Sequence, residues 1–133
     1  MDALVKISEA AEYVGLPQKT IRYYEDVGLV SPLRAENGFR QFRSSDLRAL
    51  KIIKNARNLG FSIEDSRALL DLFMNKKRSS ADVKKLATKH LEETQCKLKK
   101  LARLCAQLEH LTTSCRDNDM PDCAILDFLA DLR

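Results

Sequence analysis

Residues 17–43, PQKTIRYYEDVGLVSPLRAENGFRQFR, decide the fold of this 133-residue chain. Pro17 suits the first turn of a helix, where a missing N–H costs nothing. From there to Asp26 the spacing is helical. Ile21 and Tyr24, three apart, share one face, while Lys19, Arg22 and Tyr23 lie on another. Upstream, Ser8 is expected to cap a short helix that runs through Val14 and ends at Gly15. Two short helices joined by a tight turn, the second with a basic exposed face, describe a helix-turn-helix. Downstream, Asn37-Gly38 between short apolar pieces is a strong hairpin signal. It predicts a small β-ribbon, or wing, bearing Arg34, Arg40 and Arg43.

Working toward the C-terminus, Ser44 or Ser45 is expected to cap a third helix. Its Leu47, Leu50, Ile53 and Ala56 follow helical spacing, and Gly60 stops it. Ser62, with Asp65 three residues on, opens a fourth helix whose apolar face is Leu69, Leu70, Leu72 and Phe73. Asn75 to Ser80 reads as a polar hinge. Residues 81–115 contain no Gly or Pro and carry a heptad seam: Lys84, Ala87, Leu91, Thr94, Leu98, Leu101, Cys105, Leu108, Thr112 and Cys115. The short remaining chain cannot cover such a stripe. Pairing with a second copy would, as a two-stranded coiled coil of either orientation. The expected fold is therefore mainly α. A winged helix-turn-helix DNA-binding head spans 1–74, a hinge 75–80, a dimerisation helix 81–115, and a metal-binding loop with a C-terminal helix 116–133.

Composition agrees with helices: tryptophan is absent, and four glycines and three prolines interrupt 133 residues. The net charge of +4 is unevenly placed. Residues 1–78 hold 14 Lys/Arg against 10 Asp/Glu, whereas 79–133 hold nine of each, so the excess lies in the head, as a polyanion-binding region would have it. The N-terminus lacks an apolar run of signal-peptide length, and no stretch approaches the roughly 18 apolar residues of a membrane span. The expected setting is the reducing cytoplasm, where four cysteines serve as thiols or metal ligands rather than as a disulfide framework. No Ser/His/Asp arrangement, Gly-rich phosphate loop or carboxylate pair points to catalysis, so the chain is not read as an enzyme.

Cys115 and Cys123 flank RDNDMPD, a polar loop that leaves the two thiols free to converge. Two sulfurs without an obvious third ligand suit a soft, low-coordinate ion such as Cu(I). The plainer alternative makes Cys115 a small core residue at the coiled-coil end and Cys123 an incidental loop thiol. Cys105 lies in the seam as a core residue, and Cys96 falls on the outer face. His90 and His110 have no cysteine at metal-ligand spacing. In the head, Lys19, Arg22 and Tyr23 taken alone could simply be a solvated helix face. Arg34 and Arg40 strengthen a DNA reading because they would straddle neighbouring phosphates. Arg22 is the leading base-edge or phosphate contact, Tyr24 is expected to pack beside Ile21 and to bring its hydroxyl to a DNA phosphate, and Phe39 anchors the wing.

The string Thr20-Ile21-Arg22-Tyr23-Tyr24-Glu25, followed by Gly28-Leu29-Val30, Asn37-Gly38-Phe39-Arg40 and Leu59-Gly60-Phe61-Ser62, closely resembles the mercury-resistance-regulator (MerR) family. Ser80-Ala81-Asp82-Val83-Lys84 and the Cys115/Cys123 loop are similar to its copper-efflux branch, which responds to Cu(I), Ag(I) or Au(I), so the resemblance covers essentially the whole chain. It implies an antiparallel homodimer whose heads grip two half-sites of a pseudo-palindrome in double-stranded promoter DNA. It further implies an activator that bends and untwists an over-long promoter spacer for RNA polymerase when metal binds. By the same resemblance Ser80 stands where divalent-metal relatives contribute a cysteine across the dimer, and Lys84 is a candidate to balance an anionic bis-thiolate centre. The start of the last helix, near Ala124-Ile125, is a second source of compensation through its N–H groups. With serine at position 80 only two thiolates remain, which disfavours Zn(II) and its usual four ligands.

Three departures stand out. Pro17 replaces a usual Ser or Thr cap, Phe42 replaces a frequent Tyr and removes its hydroxyl, and Ala124 replaces a common Pro. Two rival readings remain. A thiol redox sensor with the same head would respond to oxidant and not to copper chelation. A metal-buffering protein would bind Cu(I) without binding a promoter.

Overall fold

Ala10 and Val14, Ile21 and Tyr24, and Leu50 and Ile53 are each spaced three or four residues apart, so each pair leaves its helix on one side. In the computed structural model, which describes residues 3–115 and 123–131, these pairs meet in a shared core. Four helices supply it: α1 (Ile7–Val14), α2 (Gln18–Asp26), α3 (Ser44–Asn58) and α4 (Ile63–Met74). Leu29, Val30, Phe42, Ala49 and Leu70 complete the cluster. The fold is mainly helical, with a helix-turn-helix and wing at its head, as the sequence leads one to expect.

The turn between α1 and α2 rests on Gly15, whose φ of 75° lies in the left-handed region that side chains avoid. Its N–H donates to Ala11 O at 2.9 Å. From α3, Lys54 Nζ donates to the carbonyl of Val14 at 2.8 Å and closes the same helix end. At the far end of α2, Arg67 of α4 donates to the carbonyls of Val27 and Gly28. Two of the head's cations are thus used to hold helix termini.

The wing pairs β1 (Leu33–Arg34) with β2 (Arg40–Gln41), antiparallel, in the register Leu33↔Gln41 and Arg34↔Arg40. Its turn is not the two-residue form that Asn37-Gly38 first suggests. Gly38 N–H donates to Ala35 O and Ala35 N–H to Phe39 O, each at 2.9 Å, and only Gly38 takes positive φ, at 85°. This is the three-residue hairpin in which a type I turn is followed by a left-handed glycine. Phe42, directly after β2, exchanges backbone hydrogen bonds with Val5 at 2.8 and 3.0 Å and is fully buried. A hydroxyl on this ring would therefore start from the core rather than from an open surface.

Several caps differ from expectation. α1 begins at Ile7 after Lys6, so Ser8 lies inside the helix and does not cap it. Pro17 is the N-cap of α2 rather than its first helical residue, with ψ at 146°. Neither Ser44 nor Ser45 caps α3. Arg43 occupies that position, and the buried Asp46 accepts from its N–H at 2.8 Å and from its guanidinium at 2.9 Å. Ser62 does cap α4, accepting from Asp65 N–H at 3.0 Å. On α4, Leu70 and Ser66 are the buried residues, whereas Phe73 is exposed beneath Arg78, 5.9 Å from its ring.

α5 (Ser80–Ser114) runs 35 residues without a break, and α6 (Ala124–Leu129) follows Cys123. The chain divides into two compact units, residues 1–87 and 88–133, with the division inside α5. In the second unit Leu91, Leu98, Leu101, Leu104 and Leu108 are all more than half exposed, and Cys105 in the same seam is exposed too. The loop 116–122, expected to bring the thiols together, lies outside the described residues. Among the described residues no helix is long and apolar enough to cross a membrane.

Candidate nucleic-acid interface and metal centre

α2 presents its polar side outward because Ile21 and Tyr24 are fixed in the core. Lys19, Arg22 and Tyr23 are exposed, and Arg22 Nη2 reaches back to Gln18 Oε1 at 3.4 Å. Tyr24 is buried, with its ring 5.9 Å from that of Tyr23. Its contribution is to seat the helix. Two concave surfaces flank α2. One, of about 330 Å³, is lined by Lys19, Thr20, Tyr23, Tyr24, Arg57 and Ile63. The other, of about 630 Å³, lies between α2, the start of α1 and the wing, and includes Lys6, Gln18, Arg22, Asn37, Phe39 and Arg40. Phe39, expected to anchor the wing, is 72% exposed, because Phe42 takes the buried position three residues later.

The wing arginines are not loose cations. Arg40 Nε donates to Glu25 Oε1 at 2.6 Å, and Arg34 Nη2 pairs with Glu25 Oε2 at 3.2 Å. Arg43 is held by Asp46 and by the carbonyl of Ser31, the latter at 3.0 Å. Sequence reasoning overlooked Glu25 and Arg57. The signal for Glu25 was present: an acidic residue in the last turn of a helix sits where the dipole disfavours it. Nothing local marks Arg57, which reaches the edge of α2 only through the packing of α3.

At the start of α5, Ser80 and Lys84 share a cavity of about 510 Å³ with Lys76, Arg78 and Val83. Three of its five lining residues are cations, so the space favours an anion. Past the end of α5, the Cys115 and Cys123 sulfurs lie 3.4 Å apart, within hydrogen-bonding reach, both thiols half-buried. Cys123 is the N-cap of α6. The N–H of Leu126 lowers its pKa below the ordinary thiol value, aided by the Cys115 thiol and the N–H of Ile125, against partial burial and the charge of Asp127. The thiol makes no full capping hydrogen bond, so the N–H groups act on it through their field. Among the described residues no group of three or more His, Cys, Asp and Glu side chains converges. Cys96 is exposed, and neither His90 nor His110 joins the sulfur pair in such a group.

Comparison with known proteins places these features. Residues 5–72 match the family described as MerR HTH family regulatory protein, and residues 47–111 match MerR, DNA binding. The chain is 47% identical over 127 residues to the HTH-type transcriptional regulator HmrR of Rhizobium leguminosarum bv. viciae, covering 96% of this chain and 98% of that one. It is 39% identical over 127 residues to the HTH-type transcriptional regulator CueR of Salmonella typhimurium, at 95% and 92% coverage. The crystal structure of the transcription regulator PbrR691 from Ralstonia metallidurans CH34, in complex with lead(II), aligns with a TM-score of 0.83 at 28% identity, over 94% of this chain and 98% of that one.

Proposed function

The chain belongs to the MerR family of helix-turn-helix regulators, and from that membership we propose that it is a cytoplasmic, metal-responsive transcriptional activator. Its signal is a soft monovalent ion, Cu(I) with Ag(I) and Au(I), held by Cys115 and Cys123. The observation that carries this reading is the convergence of those two sulfurs to 3.4 Å.

The donor set fits such an ion. Two thiolates supply soft ligands in low number, and Ser80 offers a hydroxyl where a third sulfur would favour a divalent metal. Metal binding requires both thiols to lose their protons. The N–H groups that lower the Cys123 pKa assist that loss. Two thiolates around a monovalent cation leave one negative charge. The cation-lined cavity of Lys76, Arg78, Ser80 and Lys84 is suited to face that charge. In the antiparallel homodimer that family membership implies, Ser80 and Lys84 would approach the thiol pair from a second copy of the chain. The exposed leucine seam of α5 supplies the contact for an antiparallel homodimer.

On the DNA side, Lys19, Arg22 and Tyr23 read or grip the duplex from α2, Tyr24 seats that helix, and Arg34 and Arg40 contact phosphates from the wing. Metal acts by favouring one arrangement of the two heads over another, which requires that it bind that arrangement more tightly. The change reaches RNA polymerase through the bend and twist of promoter DNA. Transcription in vitro from a responsive promoter, with Cu(I), Ag(I) or Zn(II) added to wild type, Cys115→Ser and Cys123→Ser, tests the proposal. Induction by the monovalent ions in wild type alone is expected. Equal induction in all three proteins would defeat it.

A further inference from the structure

Glu25 occupies an electrostatically poor place. α2 closes on Glu25-Asp26 with no basic residue in its last turn, where the helix dipole opposes negative charge. The wing compensates for it. Arg40 Nε donates to Glu25 Oε1 at 2.6 Å, and Arg34 Nη2 reaches both carboxylate oxygens at 3.3 and 3.2 Å. Arg34 and Arg40 are partners across the β1–β2 ladder, so one carboxylate holds both strands. Arg34 Nη1 also donates to Gly38 O at 2.9 Å, which extends the tie into the turn. The Glu25 side chain is 18% exposed and that of Arg40 22%.

We propose that Glu25 is a positioning residue for DNA selectivity. It locks the wing to α2 and withholds one of the two wing charges from indiscriminate phosphate attraction. This rests on the DNA-binding reading above. A ribbon of two residue pairs has little stiffness of its own, so its direction comes from what it is tied to. A wing pinned to the recognition helix meets phosphates in one register, and those contacts then position the base-reading face. A wing released from Glu25 carries two full charges rather than a net one. It can follow the phosphates of any duplex, which raises salt-dependent, sequence-blind binding.

The test uses the full chain and two probes: a duplex that wild-type protein selects from a random-sequence library, and a mixed-sequence duplex. Binding is measured across a range of KCl for wild type, Glu25→Gln, Arg34→Gln and the double variant, with thermal melts as a fold control. In Glu25→Gln the preference for the selected duplex should fall roughly tenfold, the scale of one lost base contact. Binding to the mixed duplex should strengthen, and its log–log salt slope should steepen by about 0.9 for each phosphate newly neutralised. Because both side chains act through one tie, the double variant should lose less preference than the two single losses combined. An unchanged preference in Glu25→Gln overturns the proposal, as does parallel weakening on both duplexes with an unchanged slope. Should Glu25→Gln melt below the assay temperature, the same salt series on Glu25→Asp decides. Its shorter reach must also lower preference, and wild-type preference overturns the proposal. Failure of wild type to prefer any selected duplex would instead sink the DNA-binding reading itself.

Discussion

The two compact units treat their apolar side chains in opposite ways. In residues 1–87, Ile21, Phe42, Leu50 and Ile53 are fully buried. In residues 88–133, Leu111 is the one buried hydrophobe among the described residues, while five leucines of α5 are more than half exposed. Both regions have regular helical spacing, so the pattern alone does not separate them. What separates them is where the complementary surface lies. The head carries its own in the other helices of the core, whereas the long helix leaves its stripe exposed, and in the homodimer proposed above a second chain would cover it. On that proposal the head's stability is set within one chain, and the long helix's would depend on protein concentration.

Leu101→Asp should give the largest break in that contrast. A charge in the middle of the seam should abolish self-association at micromolar protein, seen by sedimentation as a halving of mass, while a melt of the head stays in place. An unchanged mass would show that the stripe is not the contact. Ile53→Ala should do the reverse. It should cost the head about 2–5 kcal/mol through lost burial and the cavity left behind, with the oligomer's mass unchanged. A loss well below 1 kcal/mol in denaturant unfolding would mean the head's core is looser than its burial implies.

A smaller effect distinguishes the thiol pair from ordinary cysteines. Because Cys123 has a lowered pKa, its thiolate appears at lower pH in the folded chain than in the denatured one. The pH midpoint for its alkylation by iodoacetamide, followed by peptide mass, should therefore move down on folding. A midpoint at or above the denatured value would contradict the helix-start geometry at α6. The smallest change belongs to Ser66, whose hydroxyl is fully buried and finds no hydrogen-bond partner among the described residues. Ser66→Ala removes an unsatisfied group and should raise stability by on the order of 1 kcal/mol. A comparable loss would reveal a partner for that hydroxyl.

The elements themselves were legible because spacing of three and four residues, Gly15 and Gly38 each carry a direct conformational consequence. Cap identity was less so. Ser44 and Ser45 have the right chemistry for a cap, but Asp46 sits one turn in and meets Arg43 N–H, which makes Arg43 the boundary. The charge excess of the head was legible in amount and not in use. Lys54 and Arg67 close helix ends, Arg43 holds Asp46, and Glu25 takes up one of the two wing charges. Apart from the Arg43–Asp46 pair, three residues apart, the contacts of Arg40, Lys54 and Arg67 reach 15 to 40 residues along the sequence, which a linear reading does not see. The meeting of Cys115 with Cys123 was readable from the polar loop between them. The field of the Leu126 and Ile125 N–H groups at Cys123 depends on where α6 starts, which only the folded backbone reveals.

X-ray absorption at the copper edge, on protein loaded anaerobically with one Cu(I) per chain, tests the sulfur-pair reading most directly. Two sulfur neighbours and no nitrogen or oxygen in the first coordination shell are expected, with the signal lost in Cys115→Ser/Cys123→Ser. A copper ion bound equally well by that double variant, or surrounded by nitrogen and oxygen in the wild type, would contradict the account.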